Sequence, residues 1–456
     1  MSECKVPKQW KTSKTVLLFK KGDPHDIDSY RPICLLSVIY KLFTRVILNR
    51  IEKVLDEGQP CEKAGLQKGF STIEHIHTVS KLIEVSRKCK MPLCLTFIDL
   101  KKAFDSVETK AVMEALDNQG VPTQYVKKNI IIDVKRGVRQ DDTISPKIFT
   151  ATLENAMRKL EWDDMGAKVD GRQLHHLRFA DDIVLITLSI SQAERMLTEF
   201  DETCGCIGLQ LNLQKTMFKR NGWVSYAPFT LNGTNISECT SYVYLSRELN
   251  MMNDLTPELG RRRRAAWGAY KSIEDVVKKT RNTRFPALIH ASETWAFRKQ
   301  EENAVSVIER GIERVMLGVS RFTQARDGIR SSLLRQRSKI RDAAVFAKES
   351  KIRWVGHVMR FNDNRWTRAV SDWVPAILSA LQEDRRPDGQ ISSRSPSKKN
   401  MMLFVSHAEG GTTGLLWHAI GTNGRITGAR STSSKIKVTL LDIGGDYRRN
   451  EYMRVF

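Results

Sequence analysis

The 456-residue sequence contains no apolar run close to the roughly 20 residues that a membrane-spanning helix needs. Its opening, MSECKVPKQW, lacks the apolar core of a secretory signal. Cysteine is scattered over positions 4, 34, 61, 89, 94, 204, 206 and 239, and only Cys204 and Cys206 lie close together. No second pair stands at zinc-ligand spacing, so reduced thiols are expected rather than a metal module. These absences predict a soluble, intracellular protein, nuclear or cytoplasmic, not secreted and without a membrane partner. Internal repeats are also absent. Acids are outnumbered, 52 Asp and Glu against 74 Lys and Arg, for a net charge of +22. A surplus that large favours a polyanionic partner, nucleic acid before an acidic membrane. The plain alternative is a lysine-rich soluble protein whose charges face only water.

What is present is a globular composition, 41% hydrophobic, in a chain long enough for two or three domains. KTVLLF at 14–19 reads as a strand and KKGDP after it as a turn. Apolar residues at helical spacing predict a long helix over 37–57, and STIEHIHTVSKLIEVSRK opens a second with the capping box Ser71-x-x-Glu74. MPLCLTFID is a buried strand ending on Asp99. Helices follow around 108–118 and from SPKIF, with Pro146 in the first turn. LHHLRF and IVLIT flank Ala180-Asp181-Asp182 as a hairpin. SQAERMLTEFDETCGCIG predicts another helix and TSYVYLSREL an edge strand. This order of elements is α+β rather than repeating βαβ. Residues 258–375 read as helical and basic, with 24 Lys/Arg against 10 Asp/Glu between 261 and 360. Beyond residue 383 the sequence becomes linker-like and Gly/Ser/Thr-rich.

The segment FADDIVLI places two adjacent carboxylates between apolar residues. Crowding like charges is costly unless a cation compensates. A third acid, Asp99 in FIDLKKAFDSV, stands at the end of a neighbouring strand. Hard oxygen ligands of this kind suit Mg²⁺, and paired divalent ions serve phosphoryl and nucleotidyl transfer. The expected cation is Mg²⁺, with Mn²⁺ as the alternative, held by Asp99 and Asp181 with Asp182 beside them. An isolated Asp-Asp at a turn is more often only a solvated loop.

The order of motifs narrows this choice. YRPICLLSVIYKLFTRVILNRI, AGLQKGFSTIEHI, FIDLKKAFDSV, GVRQDDTISPKIF, FADDIVLI, GLQLNLQKT and SYVYLSREL occur in sequence. Over residues 7–375 the chain resembles the reverse transcriptase of LINE-like (non-LTR) retrotransposons, especially the RTE-type group. The resemblance implies a right-hand polymerase: fingers over 1–95, palm over 96–250, a basic helical thumb over 251–382 and an unassigned tail over 383–456. It implies RNA-directed DNA synthesis from an RNA template, a DNA primer or RNA–DNA hybrid, and dNTPs.

Catalytic roles implied by the resemblance fall on Asp99, Asp181, Asp182 and Lys215, the lysine facing the leaving pyrophosphate. Metal ligands would be Asp99, Asp181 and the Leu100 carbonyl. Phe104 would exclude a 2′-hydroxyl, with core packing as its alternative. Arg31 and Lys68 would contact the triphosphate, Arg139 and Gln140 the nascent pair and template. Tyr244 and Leu245 would form the primer-gripping turn. Lys215 could equally be a solvated lysine. The basic helices would track phosphates, while Trp267, Trp295, Trp354 and Trp366 are expected to pack between helices rather than stack on bases.

Several positions depart from the family pattern. Asp141 stands where glycine is usual, so impaired catalysis is expected. The chain looks about twenty residues short between QYVKKN and IIIDVKRGVRQ, and short again near Arg284-Phe285-Pro286. Leu66 and Gln67 replace the usual Phe and Arg, and Ser246 replaces a glycine where positive φ is needed. The endonuclease usual in the group is not seen. A scaffold that only binds nucleic acid and an RNA-directed RNA polymerase are the competing readings, the latter opposed by Phe104 and the RQ…SP run.

Overall fold

In the computed structural model the described residues are 13–19, 23–57, 70–122, 125, 137–139, 142–272, 286–295, 298–338, 340–361 and 365–373, plus the backbone of 401–406, 416–420 and 437–438. Two compact units divide the chain, Met1–Glu383 and Asp384–Phe456.

The first unit begins with β1 (Lys14–Phe19) paired antiparallel to β2 (Tyr30–Leu35), followed by helix α1 (Val38–Glu57). The expected helix from Ser71 is α2 (Thr72–Cys89). Only half of its capping box forms: the Ser71 hydroxyl caps nothing, while the Glu74 carboxylate keeps its hydrogen bond to the Ser71 backbone. The Glu74 carboxylate is buried and accepts from Arg365 at 3.2 Å and Thr367 at 3.4 Å. Burial raises Glu74 above the ordinary carboxylate range even though Arg365 pulls it down. The buried charge is shared between distant partners and its own helix terminus.

The central sheet is built from β3 (Cys94–Ile98), β4 (His176–Phe179), β5 (Asp182–Thr187), β6 (Met217–Arg220) and β7 (Ser237–Glu238), in the order β7-β6-β3-β5-β4. All neighbours are antiparallel except β7 and β6. β3 and β5 read as continuous apolar runs because both faces of the sheet are covered. Cys94 and Ile98 face one core with Ile183 and Leu185, shared with α3 (Thr109–Asn118), α4 (Ser145–Met157) and α5 (Ile190–Cys206). Leu95 and Phe97 face the other with Val184, Ile186 and α2. The period of two thus assigns each strand residue to one core.

TSYVYLSREL is not one edge strand. It folds into a separate hairpin, β8 (Tyr242–Tyr244) against β9 (Arg247–Leu249), with Tyr244 opposite Arg247. The connecting residues Leu245 and Ser246 have φ of 46° and 67°. A two-residue turn with both φ values positive matches the strand twist but normally calls for Asn-Gly, so no turn signal was visible.

The basic stretch is helical among the described residues: α6 (Thr256–Ser272), α7 (Lys299–Met316), a short helix at Arg321–Arg326, α8 (Ser331–Ser338), α9 (Ala343–Val358) and α10 (Trp366–Asp372). Trp295 and Trp366 are buried, and Trp267 packs against the core of this segment. Trp354 lies 4.6 Å from the His77 ring of α2. These are packing positions, as expected. In the second unit, 401–406 pairs antiparallel with both 416–420 and 437–438, so strands exist in a tail whose sequence showed no clear periodicity.

Candidate active site

The backbone fixes where the acids stand. β3 and β5 pair with Ile98 opposite Ile183, so Asp99, just past the end of β3, stands abreast of Asp182, the first residue of β5. Across the turn, Phe179 pairs with Asp182, leaving Ala180 and Asp181 as the hairpin tip. Ala180 has φ of 54°, a strained value for a residue with a Cβ. Asp99 is tied down on both sides: its N–H donates to the Thr216 hydroxyl at 3.3 Å and its carbonyl accepts from Asn212 N–H at 2.8 Å. Leu100 then bridges to Leu211.

The electrostatics follow from this crowding. The surrounding protein, then the carboxylates of Asp181 and Asp99, push Asp182 up to about 6. Asp182 stays solvent-accessible. The two neighbouring charges therefore carry more physical weight than burial. Tyr242, which sequence reasoning missed, stacks on Phe97 at 4.1 Å. Burial and the charges of Asp99 and Asp182 push its phenol up to about 12. Its only signal was the Tyr-x-Tyr alternation, which puts Tyr242 and Tyr244 on one face.

Lys215 Nζ is 3.8 Å from Asp99 Oδ2, with both side chains open to water. Phe104 lies on a helical turn, Ala103–Ser106, half-buried and stacked on Phe149 at 4.6 Å. The Phe104 carbonyl accepts from Val138 N–H at 2.6 Å, and Val107 O accepts from Gly137 N–H at 2.7 Å. Gly137 has φ of 82°, and a Cβ there would stand 2.7 Å from the Asp105 carbonyl oxygen. Only glycine permits this approach. It brings in Arg139, whose guanidinium lies 5.7 Å from the Tyr40 ring centre.

Arg31 is exposed on β2. Tyr244 is buried, its hydroxyl 3.3 Å from His75 Nδ1, so its ring faces the core rather than a groove. Leu245 is also mostly buried, at 9% exposure. Ser246, expected from the family pattern to stand where glycine is usual, has a positive φ of 67°. Lys68, Gln140, Asp141, Leu66, Gln67 and both apparent shortenings lie outside the described residues.

Among the described residues, no three His, Cys, Asp or Glu side chains are close enough to hold an ion by themselves. The expected three-acid cluster is therefore not a closed cage. Asp99 and Asp181 are hard oxygen donors beside open solvent, which fits a Mg²⁺-type ion that completes its shell with phosphate oxygens and water. No helix among the described residues is long and apolar enough to cross a membrane.

A mostly antiparallel sheet with helices on both faces, and acids at one hairpin tip and the adjoining strand end, defines a polymerase palm of α+β class. The chain belongs to the reverse transcriptase (RNA-dependent DNA polymerase) family, whose sequence pattern matches residues 19–249, just over half its length. It is 37% identical to an uncharacterised transposon-derived protein of Caenorhabditis elegans, over 46% of this chain and 80% of that protein. It is 24% identical to the RNA-directed DNA polymerase from mobile element jockey of Drosophila melanogaster, over 54% of this chain but 29% of that protein. A solved apo telomerase from Candida tropicalis aligns at 15% identity over 54% of each chain, with a TM-score of 0.36, too low to carry weight.

Proposed function

We propose that this chain extends a primer 3′-hydroxyl with deoxynucleotides on an RNA template, and that Asp99 and Asp181 are its metal-holding acids. The supporting observation is the register of β3 and β5, which sets Asp99 abreast of the Asp181-Asp182 tip in a chain of this family. Mg²⁺ bound there, or Mn²⁺ in its place, would spread the negative charge that develops at the transferred phosphorus.

The chain's own residues divide the remaining work. Asp182 adds negative potential behind the other two acids. Lys215, held near Asp99, offers a cation or a proton to departing pyrophosphate. Arg31 and Lys68 pair with the triphosphate, while Arg139 and Gln140 line the nascent pair. The Leu100 carbonyl is a further oxygen donor, and the Tyr244-Leu245 turn supports the primer end. The motif wording favours the RTE-type group within the family.

Magnesium- or manganese-dependent incorporation on poly(rA)/oligo(dT) tests the whole reading. No incorporation with either ion would end it. Two narrower outcomes are expected. Phe104→Ala should admit ribonucleotides at least about tenfold more readily relative to deoxynucleotides, because the ring edge left open beside Phe149 is removed. Unchanged sugar discrimination would leave Phe104 as packing only. Arg263, Arg264, Arg310, Arg337 and Arg353 are exposed on the basic helices. Duplex affinity should therefore fall by at least about tenfold between about 50 and about 300 mM salt. A flat salt response would remove the phosphate-tracking role.

A further inference from the structure

The β8–β9 turn is an improbable one for its sequence. Leu245 and Ser246 both occupy the left-handed region, where each residue with a Cβ is disfavoured by about 1–2 kcal/mol. Something outside the turn must hold it. The Ser246 carbonyl accepts from Arg261 Nη2 and from Arg262 Nη2, each at 2.6 Å. Both guanidiniums are in turn fixed by Glu258, which accepts from Arg261 Nε at 2.9 Å and Arg262 Nε at 2.7 Å. Glu258 also accepts the Glu248 backbone N–H of β9 at 3.1 Å.

Glu258 and Arg262 are 1% and 5% exposed. Burial alone would raise Glu258, but Arg262, the Glu248 N–H and Arg261 together hold it below the ordinary carboxylate range. Two residues of the GRRRR run are thereby committed to a backbone carbonyl, while Arg263 and Arg264 face solvent. The clamped hairpin is also coupled to the acids. Tyr242, at its start, stacks on Phe97, two residues before Asp99, and its phenol feels both Asp99 and Asp182. Glu258 and the arginines lie beyond the stretch that matches the family pattern, on the first helix after it.

We infer that Glu258, acting through Arg261 and Arg262, is a positioning residue that holds the β8–β9 turn in its strained shape and so sets the primer end against the acids. This rests on the polymerase reading above, with the turn as primer support. The clamp makes primer alignment depend on where helix α6 stands.

Primer extension by the full chain with oligo(dT) on poly(rA), yielding separate KM values for primer and for dTTP, tests the idea. Glu258→Gln keeps the shape but releases both arginines. The primer KM should rise about tenfold with the dTTP KM unchanged, since small misplacements of a reacting end are costly. The sign is diagnostic. Removing a negative charge beside Arg247, Arg261 and Arg262 would by itself tighten phosphate binding and lower the primer KM.

Adding Ser246→Gly to Glu258→Gln should return much of the loss, because glycine adopts positive φ without a clamp. Arg262→Lys keeps the charge but not the two-directional fork, and should shift the primer KM in the same direction to a smaller degree. A primer KM that falls or stays put in Glu258→Gln overturns the inference. So does a rise shared equally by primer and dTTP, or a failure of Ser246→Gly to restore. Absence of extension by the unaltered chain would instead count against the polymerase reading, and primer–template affinity by fluorescence anisotropy would then carry the same comparison.

Discussion

Asp181→Asn is expected to lower primer extension about a thousandfold while leaving the fold intact, which corresponds to roughly 4 kcal/mol of lost transition-state stabilisation. The residue occupies the exposed hairpin tip, so the change removes a charge without opening a cavity. Duplex affinity should hold or rise slightly, because one negative charge is withdrawn from the groove. Single-turnover extension alongside a thermal melt separates these effects. Extension within about tenfold of the unaltered chain would remove Asp181 from the metal-holding role. Asp99→Asn should behave alike, with one difference: Asp99 is also bound to Thr216 and Asn212 through its backbone, which the substitution leaves in place.

The largest stability effect is expected at Glu154→Gln. The Glu154 carboxylate on α4 meets the Arg178 guanidinium on β4 as a direct ion pair, with side chains 4% and 1% exposed. Removing one partner strands a buried charge, which typically costs about 3–5 kcal/mol. That is a large part of the roughly 5–15 kcal/mol that holds a domain together. The denaturant midpoint should drop with little change in slope. Glu154→Met with Arg178→Met should be far milder, because the desolvation cost disappears along with the attraction. If the single and double variants were equally destabilised, packing rather than charge would be the cause. The site is of interest because Arg178 stands three residues before Asp181 on the strand that carries the acidic turn.

The two expectations bear on different links between sequence and activity. Asp181 is exposed at the hairpin tip, where its carboxylate can meet a cation from solvent. Arg178 is close by in sequence, yet buried and paired with Glu154. Nothing in the string LRFADD separates them except the period of a strand, which sends Arg178 inward while the turn lifts Asp181 out.

Much of the palm was legible for that reason. Continuous apolar runs at β3 and β5 announced strands covered on both faces, and helical spacing placed α1, α2, α4 and α5 close to their observed bounds. The hairpin at Ala180-Asp181 was legible because polar residues interrupt two apolar runs. The β8–β9 hairpin was not, since Leu245-Ser246 carries no turn chemistry of its own and owes its shape to Arg261 and Arg262. Ser71-x-x-Glu74 satisfied a local capping rule of which only the Glu74 half forms, and the same carboxylate also takes Arg365, 291 positions away.

By itself the sequence determined the local periodicities, the acids available for chemistry, the family and the excess of positive charge, because each depends on residue type and short spacing. The tertiary structure alone decided which charges are spent on structure and which remain free to act. It committed Arg262 to a turn and Arg178 to Glu154, while leaving Arg263 and Arg264 facing water. The physical reason is that desolvation and ion pairing depend on neighbours brought together by folding, and spacing along a chain does not encode them.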